Sequence, residues 1–259
     1  MLQCRCSNAQ RNRIDRIDGA NAQKNEPGYR PRREGHKVGY TLDFSVVAER
    51  TPDLLLAALA TIGLALAGMS LALVIGVLGV VARGSRIRIL RVGVIAFVEV
   101  VRNTPFLVQI FFIFFALPQM GLRFSPTVTA IIALALNGGA YAIEIIRGGV
   151  ESIHKGQIEA GLALGLHRAE VFRVIVLKPA LRAIYPSLTS QFIMLTLTTS
   201  VCTSIAAYEL TSVAQRIESD TFRSFEVYFT ITVMYLLISW MMMGIFALIS
   251  RYFFNYPVR

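Results

Sequence analysis

Few side chains in this sequence are equipped for covalent chemistry. The histidines, His36, His154 and His167, are scattered, without metal-ligand spacing or a nucleophile beside them. Cys4 and Cys6 form a lone C-x-C in a polar stretch, too little for a zinc site, while Cys202 sits among apolar residues as a packing side chain. No structural disulfide is expected. There is no G-x-x-x-x-G-K-[ST] and no Gly-Lys dipeptide at all, so the chain cannot cradle phosphates in a P-loop. Neither catalytic residues nor bound cofactors or metals are expected.

What the chain does carry is polar side chains embedded in apolar sequence, where they are expensive and mark a pathway or a pair. Glu99 and Arg102 are one helical turn apart, so they could pair with each other or face a solute path. Glu144 and Arg147 repeat the spacing near the end of an apolar run, where snorkelling suffices. Asn137 precedes Gly138 and Gly139 in mid-run. Two glycines there can open a helix and expose carbonyls to a solute, although close helix packing is their commoner use. Gln191, Thr196, Thr198, Thr199 and Ser200 form a polar row in a later run. Their hydroxyls can bond their own backbone, but so many suggest a wet face. The candidate solute path is Glu99, Asn137, Gln191, Thr196, Thr199 and Ser200.

The elements that position these residues follow from composition. Of 259 residues, 54% are hydrophobic and 16% charged, with mean hydropathy +0.56. Soluble domains carry about 25% charged residues. Crossing a bilayer core takes about 20 apolar residues, and five runs supply them: 54–82, 92–117 (ending at Pro118), 127–146, 183–207 (entered through Pro186) and 227–254. The expected fold is all-α, a polytopic membrane domain over 42–259. Small residues Ala60, Gly63, Ala67, Ala72 and Gly76 would let the first helix pack closely. Tyr228, Trp240, Tyr252 and Tyr256 are candidate interfacial anchors.

The net charge of +10 has no basic face interleaved with stacking aromatics, so nucleic acid is not the expected partner. It reads as topology. Segment 83–91 holds Arg83, Arg86, Arg88 and Arg91, and segment 147–182 is also basic. Segment 118–126 has only Arg123, and 208–226 balances Arg216 and Arg223 against Glu209, Glu218, Asp220 and Glu226. Basic loops stay cytoplasmic, which puts the N-terminus outside and the C-terminus inside. Residues 1–41 read as a disordered polar tail. The ten Lys and Arg of residues 1–53 run against that orientation.

Segment 147–182 has the makings of a docking element. Small residues at 160, 161, 163 and 165 would leave backbone open to a partner. Ile158, Leu162 and Leu166 would share a helix face. Such a helix could dock a soluble protein or lie in the membrane interface against lipid.

Glu159-Ala160-Gly161, then Gly165, then Ile175-Val176-Leu177 and Pro179 resembles the Glu-Ala-Ala loop of ABC importer permeases. Gly161 replaces the second alanine of that pattern, and the proline comes one residue late, with Lys178 in its place. The stretch from Val98 to Gln109, including Glu99, Arg102, Asn103, Thr104 and Pro105, resembles the polar amino-acid branch. So do Asn137 to Tyr141, Glu144 to Gly149, Thr199 to Val201 and Glu209 to Thr211. Where that branch usually has Lys-Asp, this chain has Leu197 and Thr198.

The resemblance implies a type I ABC importer architecture and a permease subunit moving a polar amino acid across a bacterial inner membrane by alternating access. It implies coupling through Glu159, Ala160, Gly161 and Gly165 to separate ATP-binding cassette subunits, which would hold ATP and magnesium. It further implies a second permease copy or homologue and a periplasmic solute-binding protein. The rival readings are a self-contained channel or secondary transporter, whose halves would normally repeat, and a membrane enzyme. The runs show no inverted or parallel repeat, and the histidines offer no site.

Overall fold

The structure, a computed structural model, describes residues 41–253. The expected tail lies outside these residues apart from its last position, as do Cys4, Cys6, His36 and the residues after 253. From Asp43 onward the chain forms one compact unit.

A short helix, α1 (Ser45–Glu49), leads into α2 (Thr51–Arg83). Pro52 falls in the first turn of α2, where a missing N–H costs nothing. After a tight turn come α3 (Arg88–Arg102) and α4 (Phe106–Phe111), the latter prolonged by a π turn (Phe112–Ala116) and a 3₁₀ turn (Leu117–Met120). Helix α5 (Pro126–Glu151) starts where Ser125 Oγ accepts from the Val128 N–H. Helix α6 (Lys155–Ala163) follows after three residues. Then α7 (Arg168–Glu170), a π turn (Val171–Val176), α8 (Leu177–Thr198) and a 3₁₀ turn (Thr199–Ile205) run on as one rod. Helices α9 (Leu210–Thr221) and α10 (Ser224–Phe253) complete the chain.

Among the described residues four helical stretches are long and apolar enough to cross a membrane, and the α3–α4 pair makes a fifth if counted as one span. The sequence predicts a straight second span over 92–117. Instead the chain bends by 111° between α3 and α4, because Pro105 lacks an N–H and disfavours helix at Thr104. The predicted fourth span begins at Arg168 rather than at 183, and Pro186 sits inside α8 rather than at its entrance. Prolines are tolerated there because neighbouring turns re-satisfy freed carbonyls. The loop 208–226 contains α9, whose start is built by Glu209: its carboxylate accepts from the Thr211 and Ser212 N–H groups.

Both π turns have one local cause. A proline ring crowds the carbonyl four residues back. That residue is Phe114 for Pro118 and Ile175 for Pro179, and each lies inside a widened turn.

The bundle is held by small residues. A Cβ added to Gly139 would lie 2.6 Å from Ile75 Cγ2, and one on Gly79 would lie 2.4 Å from Ile143 Cδ1. Helices α2 and α5 therefore approach more closely than side chains at those positions would permit. Without a hydrophobic drive between helices in lipid, such contact is what holds them. Of the small residues expected on that face of α2, Ala72 and Gly76 are buried, whereas Gly63 is exposed. One core joins Leu64, Met69, Ala72, Ala133, Leu134 and Leu195; a second joins Leu54 and Ala57 to Leu210, Val213, Val227 and Ile231.

Candidate functional site

A helix that stops inside a membrane leaves its last four carbonyls without partners and without water to supply them. At the end of α3 three side chains fill that need. Asn103 Nδ2 donates to the Glu99 carbonyl at 2.8 Å, and Thr104 Oγ1 donates to the Val100 carbonyl at 2.8 Å. Gln109 Nε2 reaches back from α4 to the Val101 carbonyl at 2.7 Å, and also lies 2.8 Å from Thr104 Oγ1. The order Asn-Thr-Pro, then glutamine four residues on, is thus a recipe for a satisfied break. Asn137 Nδ2 completes it by donating to Gln109 Oε1 at 3.0 Å, which ties the break to α5.

The break frames a cavity of about 230 Å³ lined by Val98, Glu99, Arg102, Asn103 and Tyr141. The Arg102 guanidinium lies 5.3 Å from the centre of the Tyr141 ring, a cation–π distance. Glu99 accepts a 3.1 Å bond from Asn103 Nδ2. No ion pair joins Glu99 to Arg102, although the spacing allows one. One carboxylate and one guanidinium therefore line the same hollow without neutralising each other, and together they can hold a group of each sign.

The other solute-path candidates are not gathered here. Asn137 serves the break through Gln109. Gly138 and Gly139 do not open α5, which is continuous through them; Gly138 packs on Ala72 and Leu195. Gln191 lies with Ser187, Ser190 and Met194 in an open groove of about 430 Å³ beside Pro186. Thr196 and Thr199 are fully buried, donating to the Phe192 and Thr196 carbonyls. Ser200 donates to the Leu197 carbonyl. Sequence reasoning passed over Tyr141, Asn103 and Gln109 as cavity or break residues. Tyr141 could have been found from its place one helical turn beyond Asn137.

One turn beyond Tyr141 on α5, Glu144 takes Arg83 of α2 on one oxygen and Arg147 on the other, and Arg147 also holds Glu151. Helix α6 follows at once. It ends in a Schellman motif: the Leu166 N–H bonds the Gly161 carbonyl at 3.2 Å and the Gly165 N–H bonds the Leu162 carbonyl at 3.0 Å. That closure needs a left-handed residue, and Gly165 has φ +82°. Gly161 is not open to a partner as its size suggested. It is buried by its own chain, with Ile175 Cδ1 2.4 Å and Val171 Cγ2 3.1 Å from where its Cβ would be. Glu159, Ala160, Leu162, Ala163 and Leu164 remain exposed. A π turn takes one residue more per hydrogen-bonded ring than an α turn, which accommodates the one-residue delay of Pro179.

Apolar spanning helices, a broken helix bordering a polar cavity and a short helix slung from the bundle's end define a polytopic membrane transport protein. The chain belongs to the binding-protein-dependent transport system inner membrane component family, which matches residues 75–254. It is 39% identical over 211 residues to the glutamine transport system permease protein GlnP of Escherichia coli (strain K12), a match covering 81% of this chain and 96% of the relative. The nopaline transport system permease protein NocM of Agrobacterium fabrum is 33% identical over 228 residues, covering 84% and 94%. A crystal structure of an amino acid ABC transporter with histidines superimposes with TM-score 0.77 at 29% identity, covering 82% of this chain and 99% of that one.

Proposed function

We propose that this chain is the permease subunit of an ATP-driven importer that carries a polar amino acid across a bacterial inner membrane. The observation that carries the reading is the cavity at the α3–α4 break, where Glu99 and Arg102 face one hollow unpaired. A free amino acid is a zwitterion, and its carboxylate suits Arg102 while its ammonium suits Glu99. The names of the relatives, which carry glutamine or nopaline, support the same substrate class. Helix α6 is the docking element for a separate ATP-binding cassette subunit, through exposed Glu159, Ala160 and Leu162. ATP and magnesium belong to that subunit. A second permease copy or homologue and a periplasmic solute-binding protein complete the assembly.

The test is reconstitution of the complex in proteoliposomes, with amino acids screened for stimulation of ATP hydrolysis. A polar amino acid should stimulate both hydrolysis and uptake. Uptake that persists without ATP and without any co-purifying ATPase would instead identify an autonomous channel or secondary transporter.

A further inference from the structure

The turn from α2 to α3 carries Arg83, Arg86, Arg88 and Arg91 within nine residues. Among the described residues, only Arg83 has a carboxylate, that of Glu144 on α5. Among the described residues no ion pair reaches Arg86, Arg88 or Arg91, and the first turn of α3 contains no acidic side chain. All three are exposed. Arg88 and Arg91 lie one helical turn apart, so they present their charges side by side.

The residues between them are apolar and equally uncovered: Ile87, Leu90 and Val92 are exposed, and Ile89 is 83% exposed. Neither bulk water nor the acyl interior suits this mixture. It fits the boundary between them, where apolar side chains enter the acyl region and arginines stay among the headgroups. A guanidinium presents two parallel N–H donors that match phosphate oxygens. A zwitterionic headgroup supplies a phosphate together with its own cation. Three arginines that no carboxylate meets among the described residues call for net negative charge, which an anionic headgroup brings.

We propose that Arg86, Arg88 and Arg91, with the apolar residues of 87–92, form a binding site for the phosphate of an anionic phospholipid in the cytoplasmic leaflet. The placement of 83–91 on the cytoplasmic side follows from loop charge and goes with the transport reading. The site and the cavity share one helix. Helix α3, 15 residues long, has these arginines at its start and Glu99 and Arg102 at its end.

The test uses the full chain with its partner subunits, extracted in mild detergent. Native mass spectrometry counts retained phosphatidylglycerol, and binding is titrated in nanodiscs of phosphatidylcholine with increasing phosphatidylglycerol. The wild type should retain the anionic lipid, and the R86Q/R88Q/R91Q variant should lose it. Affinity should fall roughly fivefold per arginine removed and weaken with salt. R123Q, in the turn after α4, should behave as wild type. If the triple variant inserts poorly, R86Q alone, which lies outside α3, carries the comparison. Equal retention by wild type and variants would overturn the proposal. So would loss of the ATP-binding subunit from the variant with lipid retention unchanged, since the patch would then be a protein contact. Failure of the transport reading would appear separately, as absent ATP-dependent uptake in the wild type.

Discussion

Asn137 on α5 donates from Nδ2 to Oε1 of Gln109 on α4 at 3.0 Å, while the same Gln109 amide closes the end of α3 through the Val101 carbonyl. Two amide side chains thus join three helices at the point where the second span bends. Replacing Asn137 with Leu leaves the Gln109 oxygen without its donor, and Gln109→Leu strands the Val101 carbonyl as well. Each should lower stability in detergent by about 1–3 kcal/mol, with Gln109→Leu the worse. Thermal unfolding of the purified complex measures it; an unchanged midpoint for both would show that the break does not depend on this pair.

The cavity should answer to charge. Glu99→Gln keeps size, and Arg102→Gln keeps a polar side chain, but each removes a charge-assisted contact worth about 1.5–3 kcal/mol. The amino-acid concentration for half-maximal ATPase stimulation should rise about 10- to 100-fold in each. Basal hydrolysis should be unchanged. If both variants transport with wild-type affinity, the solute does not pass through this hollow.

The hydroxyls of Thr196 and Thr199 point into their own backbone. Thr199→Val should therefore leave solute affinity unchanged and alter stability by no more than about 1 kcal/mol. A marked loss of affinity in uptake assays would mean that Thr199 turns its hydroxyl toward the solute during transport.

Gly165 separates conformation from contact. Asparagine tolerates a left-handed backbone, whereas alanine and arginine pay about 1–2 kcal/mol for it. If the Schellman closure is what matters, Gly165→Asn should retain ATP-dependent uptake while Gly165→Ala and Gly165→Arg lose part or all of it. Equal loss in all three would assign Gly165 to direct contact with the ATPase. Glu159→Lys, on the exposed side of α6, should weaken ATPase pull-down without disturbing the fold.

Apolar length identified the spanning helices, because nothing but a bilayer requires such runs, and their ends slipped where proline was read as a boundary. Pro186 looks like the entrance to a span but lies inside one long rod; Pro105, which does break a helix, sits within a run whose overall apolar length reads as one continuous span. The ionisable pair Glu99 and Arg102 was legible because charge in an apolar run is conspicuous. Its neighbours Asn103 and Gln109 were not, since their value lies in which carbonyls they reach, and that depends on a 111° bend. Gly161 was misjudged for a related reason. Smallness signals close approach, and the neighbour turned out to be Ile175 of the same chain.

Only Ser152, Ile153 and His154 lie between the end of α5 and the start of α6, and the Ser152 hydroxyl is bonded to the Gly149 carbonyl. Tyr141 stands ten residues back from Glu151 on the same unbroken helix, about 15 Å along its axis. Helix α5 thus joins the Arg83–Glu144–Arg147 ladder and the cavity wall in one continuous element. Along the chain, a three-residue link and ten residues of one unbroken helix are all that separate α6 from the wall of the cavity.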